Sequence, residues 1–312
     1  MREFAQITWD APLRDDCRAL LALALREDLG GADDWTSSAL VPAQAIGRAE
    51  VVARRAGIVA GLPAVELLVE MVDARLGWLP AAGDGDPIEP GARIAQIEGP
   101  ARSLLRAERP MLNLLGRLSG IATLTRQFVE AVSGTKARVY DTRKTTPGWR
   151  RLEKYAVRCG GGRNHRTGLF DAVLIKDNHL ALGADATDSA ARYTPAEAVA
   201  RAREFVRQRL PQPAADRVIV EVEVDTLDQL DDVLPAEPDV VLLDNMTLDE
   251  LREAVRRRDA RGFGAELEAS GGVSLATIGA MASTGVERIS VGALTHSAVC
   301  LDFGLDWLAR GP

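Results

Sequence analysis

The chain has 312 residues, 46% hydrophobic and 27% charged, with a formal net charge of -7. That length buries a large core in one or two domains, and the acidity argues against general nucleic-acid binding, which needs a basic face. Three scattered cysteines, Cys17, Cys159 and Cys300, form neither a disulfide framework nor a zinc pattern and point to a reducing cytoplasm.

No apolar run reaches membrane-spanning length. The run Ala19–Leu25 follows Asp15 and Asp16 and lacks the basic start of a signal peptide. Periodicity predicts a helix over Leu13–Leu29, stopped by Gly30 and Gly31. Thr36, Ser37 and Ser38 read as a polar turn. Strands follow over Gly47–Ala60, broken at Gly57, then a helix over Pro63–Val72. Residues 80–100 alternate in short pieces, and this first part reads as a small α+β unit of antiparallel strands. A helical tract over Arg102–Val132 is predicted to be interrupted near Pro110 and at Gly120, with the domain boundary inside it.

After Gly134 the texture changes. Six apolar runs alternate with helix-like stretches: Ala137–Tyr140, Ala172–Ile175, Val218–Val224, Asp239–Leu243, Ala265–Glu268 and Glu287–Val291. Helices are predicted at Leu248–Arg258 and Leu275–Thr284. Such alternation predicts βα units with parallel strands. Each run ends in polar or glycine residues. In order these are Asp141-Thr142-Arg143-Lys144, Lys176-Asp177, Glu221 with Glu223, Asp244-Asn245, Ser270-Gly271-Gly272 and Val291-Gly292-Ala293. In βα-barrels the active site lies at that end of the strands. Six runs are fewer than a standard eight-stranded barrel requires.

The segment from Asp141 to His179 is basic within an acidic chain. Arg150, Arg151 and Lys154 fit a solvated helix face. Arg143, Lys144 and Lys176 follow apolar runs directly and fit an anionic ligand instead. Arg143, Arg166 and Lys176 together suit a dicarboxylate, and His165 stands beside Arg166 in a glycine-rich loop. The turns at Gly271-Gly272 and Gly292 let backbone N–H groups approach a phosphate. Glu223 and Asp244 suit ribose hydroxyls or magnesium. Glu221 shares a strand face with Glu223, so one of them is open to a structural ion pair. His179 and His296 read as structural, and Cys159 as an inert thiol. No nucleophile-and-base set stands out, so the chemistry is one of positioning and electrostatics on a phosphorylated substrate.

These motifs, in this order, resemble the quinolinate phosphoribosyltransferase family over nearly the whole chain. They are Glu27-Asp28-Leu29-Gly30, Glu108-Arg109 with Asn113, Ser119-Gly120-Ile121-Ala122-Thr123, DTRKTTPG from Asp141, GGRNHR from Gly161, IKDNH from Ile175, VEVEV from Val220, LLDNM from Leu242 and ASGGV from Ala269. Two places depart from the pattern: a longer stretch around Ala186–Tyr193, and Asp33-Asp34-Trp35-Thr36 where a Gly-Asp-x-Thr turn is usual. The resemblance implies an N-terminal α/β sandwich (1–118), an atypical open α/β barrel with parallel strands (119–293) and a tail (294–312) returning to the first domain. It implies phosphoribosyl transfer from 5-phosphoribosyl 1-pyrophosphate to quinolinate with decarboxylation, giving nicotinate mononucleotide, CO2 and pyrophosphate. Magnesium accompanies the pyrophosphate, with Glu223 and Asp244 as the acids available to it, and no organic cofactor is implied. By motif position Arg143, His165, Arg166 and Lys176 hold quinolinate, with Arg109 entering from a partner subunit of a cytoplasmic homodimer, or of a hexamer of such dimers. Lys144, Glu223, Asp244, Ser270, Gly271 and Gly292 hold the phosphoribosyl group, flanked by Thr142, Gly272, Val291 and Ala293. Lys144, Lys176, Glu223 and Asp244 are the catalytic candidates. A molybdenum-transport-linked paralogue would differ in the cations that grip quinolinate. A catalytically silent phosphosugar sensor would have no use for Lys144, Glu223 and Asp244.

Overall fold

In a computed structural model of the chain, residues 2–185 and 188–308 are described. Contacts divide them into two compact units interleaved in sequence. Among the described residues, one comprises Arg2–Gln6, Gln127–Arg143 and Arg163–Ala293, the other Ile7–Arg126, Lys144–Gly162 and Leu294–Leu308.

The second unit holds a four-stranded antiparallel sheet in the order Phe303–Trp307, Ile46–Ala53, Arg93–Pro100, Gly77–Pro80. The C-terminal strand thus lies beside the first strand of the chain. The helix Ala11–Leu29 starts at Asp10, whose side chain accepts from the Leu13 N–H, and stops at left-handed Gly30. It buries Leu13, Cys17 and Leu21. Trp35–Leu40 is a helix and not the polar turn the composition predicts, because Asp34 caps the Ser37 N–H at 3.0 Å.

The tract predicted to be broken is one continuous helix, Ala101–Ala131. An interior proline costs about 3 kcal/mol, yet the helix buries Leu104, Met111, Leu115, Leu118 and Ile121 completely. Each such side chain stabilises by roughly 1.5–3 kcal/mol on burial, so packing outweighs the defect at Pro110. Gly120 marks a close approach and not a break. A Cβ there would lie 2.1 Å from the Val299 carbonyl oxygen, where the C-terminal segment crosses the helix.

The other unit is an open α/β barrel. Its six parallel strands run in the order Arg138–Tyr140, Arg288–Ser290, Glu266–Ser270, Val240–Asp244, Val220–Val224, Val173–Ile175. No pairing joins the first and last strands among the described residues. Register aligns Glu223 with Leu242, Leu242 with Glu268, and Glu268 with Arg288. Aligned residues of a parallel sheet share a face, so this face is charged. The segment Arg2–Gln6 packs into it. The Glu3 carboxylate accepts from the Tyr140 hydroxyl at 2.9 Å, the Phe4 ring lies 4.2 Å from the His165 ring, and the Arg2 carbonyl accepts from Arg288 at 2.9 Å. Helices Pro195–Arg209 and Leu248–Ala260 each begin with a Thr–Glu capping box, at Thr194 and Thr247. Of the longer stretch at Ala186–Tyr193, residues 186–187 lie outside the described residues. Strands Ala184–Asp185 and Asp188–Arg192 on either side pair antiparallel. No helix of the described residues is long and apolar enough to cross a membrane.

Candidate active site

Parallel strands bring all their C-terminal ends to one edge, so the barrel's sequence order becomes a ring of side chains. Thr142 and Arg143 follow the strand Arg138–Tyr140, Lys176 follows Val173–Ile175, and Glu223 and Asp244 end their own strands. Ser270 ends its strand before Gly271-Gly272, and Val291-Gly292-Ala293 follow Arg288–Ser290.

Arg166 is buried, and its guanidinium titrates below its ordinary range. Burial is the main cause and the neighbouring Arg143 the second, only partly offset by Glu221 and Asp171. Its Nε has no hydrogen-bond partner among the described residues. Two guanidinium groups that repel each other in a half-dry site are of the chemistry that suits an anionic ligand. Lys176 makes a short ion pair with Glu223. The Glu223 carboxyl is pushed above its usual range, by burial first, against the lowering by Lys176 and with further raising from Asp244 and Asp177. Glu223 and Asp244 therefore sense each other. His179 serves locally, as predicted: its Nδ1 accepts from the Lys176 N–H at 2.9 Å at the start of the helix Asp177–Leu182.

The loop carrying His165 and Arg166 is pinned by Asp141. Its fully buried carboxylate accepts from the His165 N–H at 2.9 Å and from Asn164 Nδ2 at 2.6 Å. The sequence shows Asp141 only as one of the acids in a basic stretch. His165 is 5% exposed, and its ring faces protein. Nδ1 accepts from the Arg166 N–H at 2.8 Å, and Nε2 lies 2.9 Å from Glu221 Oε2 and 3.6 Å from Glu268 Oε1. Glu221 is therefore the structural partner of the two strand-face acids, and Glu223 the one left at the rim. Glu268 was not singled out in sequence. The one available signal was its alternation with Glu266, the same pattern as Glu221 with Glu223.

Gly271 has φ +93, and a Cβ there would lie 2.0 Å from Asn245 Oδ1. Asn245 itself takes a left-handed φ of 54 and donates from Nδ2 to Asp244 at 2.7 Å, so the turn also orients the carboxylate. The helix after this turn is Ile278–Ala282, shorter than predicted and starting later. Any anion there meets turn N–H groups and not a helix end.

Lys144 and Arg109 belong to the other unit, and both are exposed. The Lys144 carbonyl accepts from Thr295 Oγ1 at 2.8 Å. Nearby in sequence, buried Glu153 takes Arg117 and Thr146 together. Lys154, predicted to lie on a solvated face, is fully buried, because the helix Arg150–Cys159 turns Leu152, Glu153, Lys154, Ala156 and Val157 inward. Burial pushes the Cys159 thiol up to about 12, which leaves it inert, as predicted.

Residues 121–306 match the family model described as the quinolinate phosphoribosyl transferase C-terminal domain, and residues 34–119 match the N-terminal domain. The chain is 44% identical over 294 residues to the nicotinate-nucleotide pyrophosphorylase (carboxylating) of Mycobacterium leprae, covering 94% of this chain and 97% of that one. It is 41% identical to the probable enzyme of that name from Bacillus subtilis, over 90% of this chain and 89% of that one. The solved nicotinate-nucleotide pyrophosphorylase of Francisella tularensis superposes with a TM-score of 0.85 at 35% identity, covering 98% and 100% of the two chains. NadC from Streptococcus pyogenes gives 0.83 at 36% identity, covering 97% and 100%.

Proposed function

From the quinolinate phosphoribosyltransferase family, to which this chain belongs, we infer that it transfers the phosphoribosyl group of 5-phosphoribosyl 1-pyrophosphate to quinolinate. The 2-carboxylate leaves as CO2, and nicotinate mononucleotide and pyrophosphate are the other products. The observation that carries the site reading is the Arg143–Arg166 pair, set at the same strand edge as the Lys176–Glu223–Asp244 cluster. Arg143, Arg166 and Lys176 take the two carboxylates of quinolinate, and His165 packs against this end. The turns at Ser270-Gly271-Gly272 and Val291-Gly292-Ala293 take the phosphate, and Glu223, Asp244 and Lys144 attend the ribose and pyrophosphate.

Two hard carboxylates that sense each other suit magnesium, so Glu223 and Asp244 are the residues that would hold it. Bound there, magnesium supplies charge neutralisation to the leaving pyrophosphate. The protein's own contribution is to present quinolinate's nitrogen to the ribose carbon and to place carboxylates where positive charge develops as pyrophosphate departs. We place the enzyme in the cytoplasm as a homodimer, with Arg109 of one subunit completing the other's site.

The direct test is purified protein with quinolinate, phosphoribosyl pyrophosphate and magnesium, followed for nicotinate mononucleotide. Nicotinate in place of quinolinate should lower kcat/KM by about a hundredfold or more, because one buried cation is left unpaired at a cost of several kcal/mol. Equal values for the two acids would reject the dicarboxylate pocket. Glu223→Gln and Asp244→Asn should each lower kcat by about a hundredfold while changing quinolinate binding far less. A rise in the KM for phosphoribosyl pyrophosphate at unchanged kcat would reassign both to uniform binding.

A further inference from the structure

The segment Arg2–Gln6 forms no helix or strand, yet Arg2, Glu3, Phe4 and Gln6 each bond or pack within the barrel unit. At one end Arg2 donates to Asp239 at 3.0 Å and to the Val218 carbonyl at 3.3 Å, both just before the strands Val240–Asp244 and Val220–Val224 begin. Phe4 is buried in a core cluster with Tyr140, Ala172, Ile219 and Val240. At the other end Gln6 reaches Asn164, in the loop that carries Arg166. The segment therefore links the N-terminal edge of the sheet to a cation assigned to quinolinate.

The bonding at Asn164 is specific. Gln6 Nε2 donates to the Asn164 carbonyl at 3.1 Å and to the Phe4 carbonyl at 2.9 Å, and Gln6 Oε1 accepts from the Asn164 N–H at 2.9 Å. One side-chain amide thus satisfies both main-chain groups of a fully buried residue. Asp141 holds the same loop through the Asn164 side chain and the His165 N–H. The Phe4 ring lies 4.2 Å from the His165 ring, and the Nδ1 of that ring accepts from the Arg166 N–H at 2.8 Å. Arg166 Nε has no hydrogen-bond partner among the described residues. The placement of its guanidinium therefore depends on where the loop backbone stands. Phe4 also fills the core, but the Gln6 amide bonds only to Asn164 and within its own segment.

We propose that Gln6 and Phe4 are positioning residues for quinolinate, clamping Asn164 and His165 and so holding the Arg166 guanidinium where a carboxylate of the substrate meets it. This rests on the reading of Arg166 as part of the quinolinate grip. With the clamp gone, the loop samples more positions, and binding has to select one of them. That cost falls on the ligand that meets Arg166 and not on the phosphoribosyl group.

The experiment measures the calorimetric Kd for quinolinate and the KM for each substrate in wild type, Gln6→Met, Phe4→Leu and Arg166→Ala. Gln6→Met keeps the length of the side chain and removes its three hydrogen bonds. It should weaken quinolinate binding by about tenfold while changing the KM for phosphoribosyl pyrophosphate by less than about twofold. Circular dichroism and Tm establish that the variants are folded. A fall in Tm with an unchanged Kd for quinolinate would make Gln6 purely structural and overturn the proposal. Equal weakening toward both substrates would overturn it too. Should Gln6→Met not fold, Phe4→Leu keeps an apolar side chain in the core and should show the same selective loss, by about threefold. A Phe4→Leu enzyme with no selectivity between the substrates then overturns the proposal. Arg166→Ala separates the two readings. If it alone loses quinolinate binding, the pocket assignment stands and the clamp falls. If it binds quinolinate as wild type does, the pocket assignment falls, and the clamp with it.

Discussion

Lys176→Ala should lower kcat/KM by about a hundredfold or more, because it removes two functions at once. The ammonium is assigned to a quinolinate carboxylate, and it is also the cation nearest Glu223. Glu223's side chain is 10% exposed and feels Asp244 and Asp177, with Lys176 supplying the main lowering influences on its carboxyl. Without Lys176 that carboxyl rises further and is neutral over more of the working range. The sign follows directly: the acid limb of the kcat profile should move to higher pH in Lys176→Ala, since an ionised Glu223 is then reached later. Lys176→Arg keeps the charge and should hold the limb near its wild-type position while losing part of the rate to misfit. Stability should change little. The Lys176 side chain is 43% exposed, and a pair open to water on one side contributes at most about 1 kcal/mol. A sharp fall in Tm with normal turnover per folded molecule would make Lys176 a structural residue.

The strand ends were legible in sequence because a parallel strand buried on both faces is a short apolar run, and whatever polar residue follows it must lie at the C-terminal edge. All six runs became strands within two residues of their predicted ends. The charged inner face was harder to read. Glu266 and Glu268 alternate with apolar residues in the way a half-solvated strand does, and only partners far along the chain make them interior. Arg288 and Arg138 reach Glu266 from 22 and 128 positions away. The same holds for Arg2–Gln6, which has no periodicity of its own and takes its place from Tyr140, His165 and Arg288. Pro110 and Gly120 misled for a related reason. Local propensity marks them as breaks, while tertiary burial along the helix Ala101–Ala131 and the close passage of Val299 decide the outcome. Lys154 was misplaced because a basic helix face is usually wet, and here Glu153 beside it is buried with Arg117.

Mixtures of two inactive variants should recover activity if the proposed dimer shares its sites. Arg109 is exposed on the helix Ala101–Ala131, and Lys144 is exposed after the first barrel strand. An exposed arginine flanked in its helix by fully buried Ala107 and Met111 is free to serve a neighbouring subunit. Arg109→Ala and Lys144→Ala homodimers should each be nearly inactive, since every site lacks one cation. In the heterodimer one composite site carries both defects and the other carries neither, as two-fold symmetry requires when the two residues come from different subunits. Subunit exchange should therefore restore up to about half of wild-type activity per heterodimer, provided the sites act independently. Native mass spectrometry counts the heterodimers, so the recovered rate can be expressed per mixed species. If Arg109 served its own subunit, both sites of the heterodimer would be damaged and no mixing ratio would recover activity. Absence of recovery with heterodimers present rules out the shared site, and recovery that scales with the heterodimer fraction assigns Arg109 to the partner's pocket.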